Sequence, residues 1–408
     1  MSSNIIVIGG GASGLVAAIE AARNQANVTI VEHKEKFGKK ILATGNGKCN
    51  YTNYVQTADC YRGTNPSFAL KVLEQFDVNR TVDFFRQLGI VPKVRNGYVY
   101  PASSQAASVL DVLLLEAGRL GVKMIANEHV TEITKKGEKF RVRVGNQNVS
   151  ADKVILATGG MAASKLGSDG SGYTIAKSFG HKIITPMPAL VQLKSNAKFL
   201  KTINGVRTEA AVQVMVGNKP KAGEKGEILF TNYGISGIPV MQLSRFAAEG
   251  LAKKQSVQIV IDFTPDLSIS EVKEQIKQRL QTMENRTAEE LLIGWFNHKL
   301  TYILLKNVGI DPEKRASKIK PELYNQLCKL IKEFPLQITD TNGFENAQTS
   351  AGGVATDEIN PSSMESKLVR GLYFAGELVD IDGTCGGYNL QWAWSSGYVA
   401  GTNASRVK

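Results

Sequence analysis

Between residues 4 and 31 the apolar positions fall into two short unbroken runs with a helical pattern between them. Ile5-Ile6-Val7-Ile8 has no polar break and predicts a strand buried on both faces. Leu15 to Arg23, rich in alanine and carrying Glu20, predicts the following helix, and Asn27-Val28-Thr29-Ile30-Val31 predicts a second strand. Residues 65–89 predict two helices, with Pro66 near the start of the first and apolar positions at Phe68, Val72, Leu73 and Phe76, then Val82, Phe84, Phe85 and Leu88. Tyr98-Val99-Tyr100-Pro101 is a short extended piece, after which Ser103 or Ser104 is expected to cap a helix reaching about Leu120, with Val109, Leu113 and Leu114 on its apolar face.

From residue 122 the pattern changes to strands, over 122–125, 130–134, 140–144 and 153–157. The middle pieces alternate apolar and polar, so they predict an antiparallel meander with one wet face. Val154 to Ala157 then reads as a buried strand running into Thr158-Gly159-Gly160, a turn bare enough to lie against a ligand. Pro186 and Pro188 mark a change of character. Strands are predicted over 190–193, 211–216, 227–230 and 257–261, and helices over 270–283, 288–295, 299–308 and 321–332, with Ser268, Ser270 and Thr287 as candidate N-caps. An insertion of about 160 residues is too large for a loop and requires its own core. The chain is therefore divided into a first part of one domain at 1–187, an inserted domain at 188–348 and the return of the first domain at 349–408.

The glycines on the first turn carry the chemistry. In Gly9-Gly10-Gly11-Ala12-Ser13-Gly14, Gly9 allows the tight turn, Gly11 lets backbone approach a pyrophosphate, and Gly14 lets helix and strand pack closely. The helix start, with Ala12 and Ser13, then offers unpaired N–H groups to the phosphates. Glu32 closes the second strand close to the ~20 residues at which an acid binds a ribose hydroxyl. A carboxylate there repels a 2′-phosphate, which points to FAD or NAD over NADP. Lys39 to Asn50 favours FAD, because Thr44, Gly45, Asn46, Gly47 and Asn50 make a polar, glycine-broken segment suited to lie along an extended cofactor.

Toward the C-terminus, Gly371 to Glu377 predicts a strand ending in a glycine turn, where Gly376 and Glu377 can meet a ribityl chain. Gly386-Gly387-Tyr388-Asn389-Leu390 then leads into a helix over 391–401, a second helix N-terminus suited to the electron-rich edge of a reduced flavin. Gly167-Ser168-Asp169-Gly170-Ser171-Gly172 looks like a second fingerprint, but no hydrophobic strand leads into it. It is expected to cap a helix over 173–179 instead, so a nicotinamide donor would visit the flavin only transiently.

Composition narrows the picture. At 408 residues the chain can bury a full core without metals or disulfides. Its four cysteines show no CxxC spacing, and His298 stands alone on a helix, so neither a redox dithiol nor a metal site is expected. No secretory signal precedes the first strand and no apolar run approaches the ~18 residues of a membrane span, so a cytoplasmic protein without a membrane partner is expected. The net charge of +12 is dispersed, without long basic runs, which argues against nucleic acid as the main partner. Oligomeric state is not readable from sequence.

GGGASG at 9–14, KKILATGNGKCNYTN at 39–53, GEILFTNYGISG at 226–237, TSAGGV at 349–354 and GLYFAGELVDIDGTCGGYNLQWAWSSGYVAG at 371–401 together resemble the bacterial YhiN/BaiN-like flavoproteins, a family that includes aminoacetone oxidases. The resemblance covers essentially the whole chain. It implies an α/β fold in which a Rossmann-type FAD-binding domain is built from both chain ends, with an inserted β-barrel plus helical domain that serves the substrate. It further implies that Glu32, Lys40, Asn46, Asn50, Val130, Glu377 and the turn from Gly386 to Leu390 contact FAD. Gly237-Ile238-Pro239 and Thr384 depart from the expected pattern on the presumed substrate side.

The expected activity is that of an FAD-dependent oxidoreductase acting on a small molecule. The flavin is reduced by NAD(P)H and reoxidised by an electron-poor C=C bond, as in a dehydro bile acid or another enone. An amine oxidase of the aminoacetone type, using oxygen, is the alternative within the class, and an RNA-binding flavoprotein the alternative outside it. Lys48, Cys49, Cys385 and Tyr388 are the candidates for polar contact or proton transfer near the ring.

Overall fold

In the computed structural model, which describes residues 2–283 and 285–406, the first apolar run is β1 (Asn4–Ile8). It occupies the middle of a five-stranded sheet with β2 (Asn27–Val31), β3 (Lys123–Ile125), β4 (Lys153–Leu156) and β5 (Leu372–Phe374), in the order β5-β4-β1-β2-β3. Every pairing is parallel. Ile5 faces Val28 on one side and Lys153 on the other, so this strand has neighbours on both edges as well as cover on both faces, which is why its run has no polar break. β5 comes from the far end of the chain, and the unit comprises Met1–Met187 with Gln348–Lys408.

Three helices position the groups of this unit: α1 (Ala12–Arg23), α2 (Ser171–Ser178) and α3 (Tyr388–Ser405). α3 lies on α1 at close backbone range. A Cβ on Gly397 would overlap Ser13 O and one on Gly401 would overlap Ala17 O, so only glycine fits at these two crossings. α3 also holds its neighbours through buried hydrogen bonds: Trp392 Nε1 donates to Gly376 O (2.9 Å) and Trp394 Nε1 to Tyr51 O (2.8 Å). The fully buried Gln391 donates to Phe76 O, Thr81 Oγ1 and Ser395 Oγ.

Several local expectations are corrected. The helix expected from Ser103 or Ser104 spans Ala106–Arg119; its N-cap residue is Gln105 and Ser104 takes a left-handed backbone, so neither serine caps it. The meander has a third strand, Gln147–Ala151, whose apolar signal is confined to Val149 and Ala151 and which is defined by pairing with Lys139–Val144. α2 starts two residues before its expected position, because Asp169 accepts from both Ser171 N (3.0 Å) and Ser171 Oγ (2.6 Å). α3 extends beyond residues 391–401 at both ends.

The second unit, Pro188–Ala347, has a separate apolar core and an antiparallel seven-stranded ladder. Its outermost strands, Phe334–Ile338 and Asp340–Thr341, are separated in the chain only by Thr339, so the ladder comes round on itself as a barrel. Helix Ile238–Ala252, absent from the expected elements, packs on this ladder through Val240, Leu243 and Ala247; Pro239 sits in its first turn, where a missing N–H costs nothing. Ser268 and Thr287 are N-caps, each in a capping box with Glu271 or Glu290, whereas Ser270 lies inside its helix. His298 begins helix His298–Asn307, and its side chain is exposed. Among the described residues no helix is long and apolar enough to cross a membrane.

Candidate functional site

The turn between β1 and α1 opens onto a trough in the first unit. Gly9, Gly11, Ala12 and Ser13 form its floor. Gly11 is the N-cap of α1 and makes no side-chain cap, leaving the N–H groups of the first turn open. A Cβ built on Gly11 meets nothing within 4 Å, whereas one on Gly14 would overlap Gly9 O. The two glycines therefore do different work: Gly14 lies beneath the trough and lets helix and turn touch, and Gly11 leaves the space above the helix clear.

Glu32 lines one end of the trough and is only 8% exposed. Its Oε2 accepts from Gly10 N and its Oε1 from Lys34 N, each at 2.8 Å, so the carboxylate is held rigidly with its remaining lone pairs available. Val130, Thr158 and Gly159 also line this part. Gly160 stands behind, where a Cβ would crowd Ser350 Oγ (2.6 Å) and Glu377 Oε1 (2.8 Å).

The trough continues past Lys40 and Thr44 to Glu377, Asn389 and Leu390. Lys40 Nζ bonds to Glu377 Oε2 at 2.7 Å and to Ala162 O at 3.1 Å, while Glu377 Oε1 accepts from Ser350 N at 3.0 Å. Ser350 Oγ in turn accepts from the N–H groups of Met161 and Ala162, fixing the segment after Gly160. Asn389 pins its own turn, accepting from Gly383 N (2.8 Å) and donating to Gly383 O (2.9 Å). Gly376 lies under this part, where Ser13 leaves no room for a Cβ.

Gly45, Asn46 and Gly47 form an exposed turn in which all three residues take a left-handed backbone. Asn46 and Cys49 do so without being glycine, a strain the surroundings must hold in place. Asn50 Oδ1 is buried with no partner, and a Cβ on Gly387 would stand 3.0 Å from it. The segment 44–50 and the turn 386–390 therefore meet, and an unpaired acceptor lies at their junction. Gly386 is pressed by Tyr98 and Tyr388, each ring 3.0 Å from the position of a Cβ.

Of the proton-transfer candidates, Lys48 is exposed on the turn and Cys49 is fully buried beneath it. Burial pushes the Cys49 thiol up to about 12, so it stays protonated at neutral pH despite its hydrogen bond with Thr44. Burial also raises Cys385. Tyr388 is raised by burial and by its contact with Cys60, and its ring stands edge-on to Tyr61 at 6.0 Å. Tyr388 and Cys385 lie on one turn, whereas Cys49 belongs to the other segment.

Sequence reasoning missed His33, His129, Gly167 and Ser168, which line the trough beside Glu32. The segment 167–172 does more than cap a helix, since its first two residues face the same space as Glu32. No periodicity or spacing connects positions 33, 129 and 168. The partnership of Lys40 with Glu377, and the role of Ser350 between them, likewise has no local signal.

A family model described as "HI0933-like protein Rossmann domain" matches residues 3–403. The chain is 47% identical over 405 residues to a 3-dehydro-bile acid delta(4,6)-reductase of Clostridium scindens, covering 99% of both chains. It is 30% identical over 410 residues to a ribosomal RNA dihydrouridine synthase of Haemophilus influenzae, again covering 99% of each. Among solved structures, its fold is similar to that of a 3-ketosteroid delta1-dehydrogenase from Sterolibacterium denitrificans, with a TM-score of 0.51 at 12% identity over 99% of this chain and 100% of that one.

Proposed function

We propose, since this chain belongs to the HI0933-like Rossmann-domain family and is an FAD-dependent oxidoreductase, that it saturates an electron-poor C=C bond conjugated to a carbonyl, with electrons from NAD(P)H. The observation that carries the reading is the 47% identity, over 99% of both chains, to a named delta(4,6)-reductase. The second named relative supports the same reaction type, because dihydrouridine is uridine with a carbonyl-conjugated C=C bond saturated. One bond type thus links two otherwise unlike substrates.

The residues present fit FAD. The open first turn of α1 and Gly11 would take the pyrophosphate, Glu32 the adenosine ribose, and Glu377 with Lys40 the ribityl chain. Asn50 Oδ1, buried and unpaired, would accept from a donor of the ring, and the N-terminus of α3, whose Gly387 N-cap has no side-chain cap, would place its positive end toward the ring's electron-rich edge. When bound, FAD supplies hydride transfer in both directions. The chain supplies orientation: Ser350, bonded to Met161 and Ala162, and Gln391, bonded to Phe76, tie the C-terminal part to the N-terminal part, while Trp392 and Asn389 fix Gly376 and Gly383 within the C-terminal part, so the ribose-side and ring-side contacts would keep a fixed spacing.

The test is an anaerobic titration of the purified yellow protein with NADH and then NADPH, followed by addition of a 3-oxo steroid carrying a conjugated C=C bond. Bleaching of the flavin band by a nicotinamide, recovery on adding the enone, and a product with two more hydrogen atoms support the reading. A flavin bleached only by primary amines and reoxidised by oxygen would favour the oxidase. A second reading, reduction of uridine in RNA, is favoured by the 30% identical relative. It predicts recovery of the band with ribosomal RNA, lost steeply as salt is raised.

A further inference from the structure

His33 follows Glu32 at the end of β2, and its ring faces two groups brought by other segments. His129 stands at the head of the meander, with ring centroids 5.6 Å apart, and Asp169 lies on the loop before α2. His33 Nε2 is 4.0 Å from Asp169 Oδ2 and His129 Nε2 is 3.8 Å from the same oxygen, both just beyond hydrogen-bond reach. His33 Nε2 is buried without a partner. Asp169 Oδ1 is taken up by Ser171, which turns Oδ2 toward both imidazoles.

The backbones beneath are not free to drift. Asn127 N donates to Lys34 O (2.9 Å) and Glu128 N to Glu32 O (3.1 Å), so the segments carrying His33 and His129 are zipped together, and only the Asp169 loop completes the ring from the other side. The charged groups near the three are Glu32, Lys34 and Lys36 on the His33 segment and Glu128 beside His129. Glu32 Oε1 stands 3.6 Å from His33 Nδ1.

We propose that His33, His129 and Asp169 form a clasp over the adenosine end of the FAD trough, closed by ion pairing when the imidazoles are protonated, so that FAD is released more slowly at low pH. The clasp rests on the reading that this trough holds FAD with its ribose at Glu32. Closure needs movements of less than an ångström, because two 3.8–4.0 Å gaps have only to become hydrogen bonds. The carboxylates beside the rings, Asp169 and Glu32, are both anionic, and the dinucleotide the trough would hold is anionic as well. The sign follows by linkage: a bound dinucleotide favours the protonated clasp, so retention is stronger at acid than at alkaline pH.

The experiment follows FAD release from the holoprotein at constant ionic strength from pH 5.5 to 8.5, separating free flavin by filtration at timed intervals. The expected half-time at pH 5.5 is about fivefold longer than at pH 8.5, the scale of two partly exposed ion pairs. Asp169→Asn keeps an oxygen for Ser171 and so keeps the start of α2, yet loses the pH dependence; the double variant His33→Gln/His129→Gln does the same. His298→Gln, in the other unit, keeps the wild-type slope. Release that is independent of pH in the wild type, or a slope unchanged in Asp169→Asn, overturns the clasp while leaving FAD in the trough. A wild-type protein that carries no FAD overturns the reading of the trough and the clasp with it.

Discussion

Lys40 Nζ lies 2.7 Å from Glu377 Oε2, an ion pair between residues 337 positions apart that closes the two chain ends on one another. Both side chains keep about a fifth to a quarter of their surface exposed, so the pair is weaker than a buried one. Lys40→Met leaves Glu377 with Ser350 N as partner and is expected to cost about 1–2 kcal/mol, as is Glu377→Gln. A double-mutant cycle measured by denaturant unfolding is expected to give a coupling of about 0.5–1 kcal/mol. A coupling of zero would mean the two groups are near neighbours without energetic connection.

Gly11 and Gly14 are expected to separate binding from folding. Gly11→Val is expected to fold with an unchanged melting midpoint in the flavin-free protein while losing FAD content at least tenfold, since its side chain would enter only the open space above α1. Gly14→Val is expected to yield little folded protein, because it meets the Gly9 carbonyl. Circular dichroism and flavin absorbance on both variants check this, and equal loss of structure in the two would refute the division of roles.

Gly397 and Gly401 are predicted to be packing positions. Gly401→Leu would push α3 away from Ala17 O and is expected to cost about 3 kcal/mol or more, seen as a lowered unfolding midpoint and loss of FAD. Thr402→Ala, one position on and half-buried, is expected to cost far less. Comparable midpoints for the two would show that the helix contact is loose.

Cys49 gives a pH signature. Its thiol is raised from the ordinary 9.0 to about 12 by burial, and a raised group stabilises the fold fully below its unfolded value and loses that contribution as pH climbs toward the folded one. Stability measured by urea unfolding is therefore expected to fall more steeply between pH 9 and about 12 in the wild type than in Cys49→Ala. Below pH 8 the two pH dependences should run parallel, and iodoacetamide at pH 8 should leave native Cys49 unmodified. Rapid alkylation would show that the turn above it opens.

The short-range features were legible because their causes are short-range. An unbroken apolar run, a glycine turn and a carboxylate at the end of the second strand lie within residues 5–32, and each needs only its neighbours to be recognised. The capping boxes at Ser268 and Thr287 are of the same kind. Where the local pattern was ambiguous, tertiary context decided: strand Gln147–Ala151 is defined by its pairing, and the helix at 106–119 begins without the serine that its sequence offered.

The sequence by itself determined the first strand, the glycine turn after it and the carboxylate that closes the second strand, because each is written in residues that are neighbours along the chain. Only the tertiary structure decided which distant groups share a space: Lys40 with Glu377, Asn50 with Gly387, and Asp169 with two histidines. Such meetings depend on where β5 and α3 return and how closely Gly397 and Gly401 let them approach. Long-range closure is set by packing of whole elements, and packing leaves no period in the sequence of either partner.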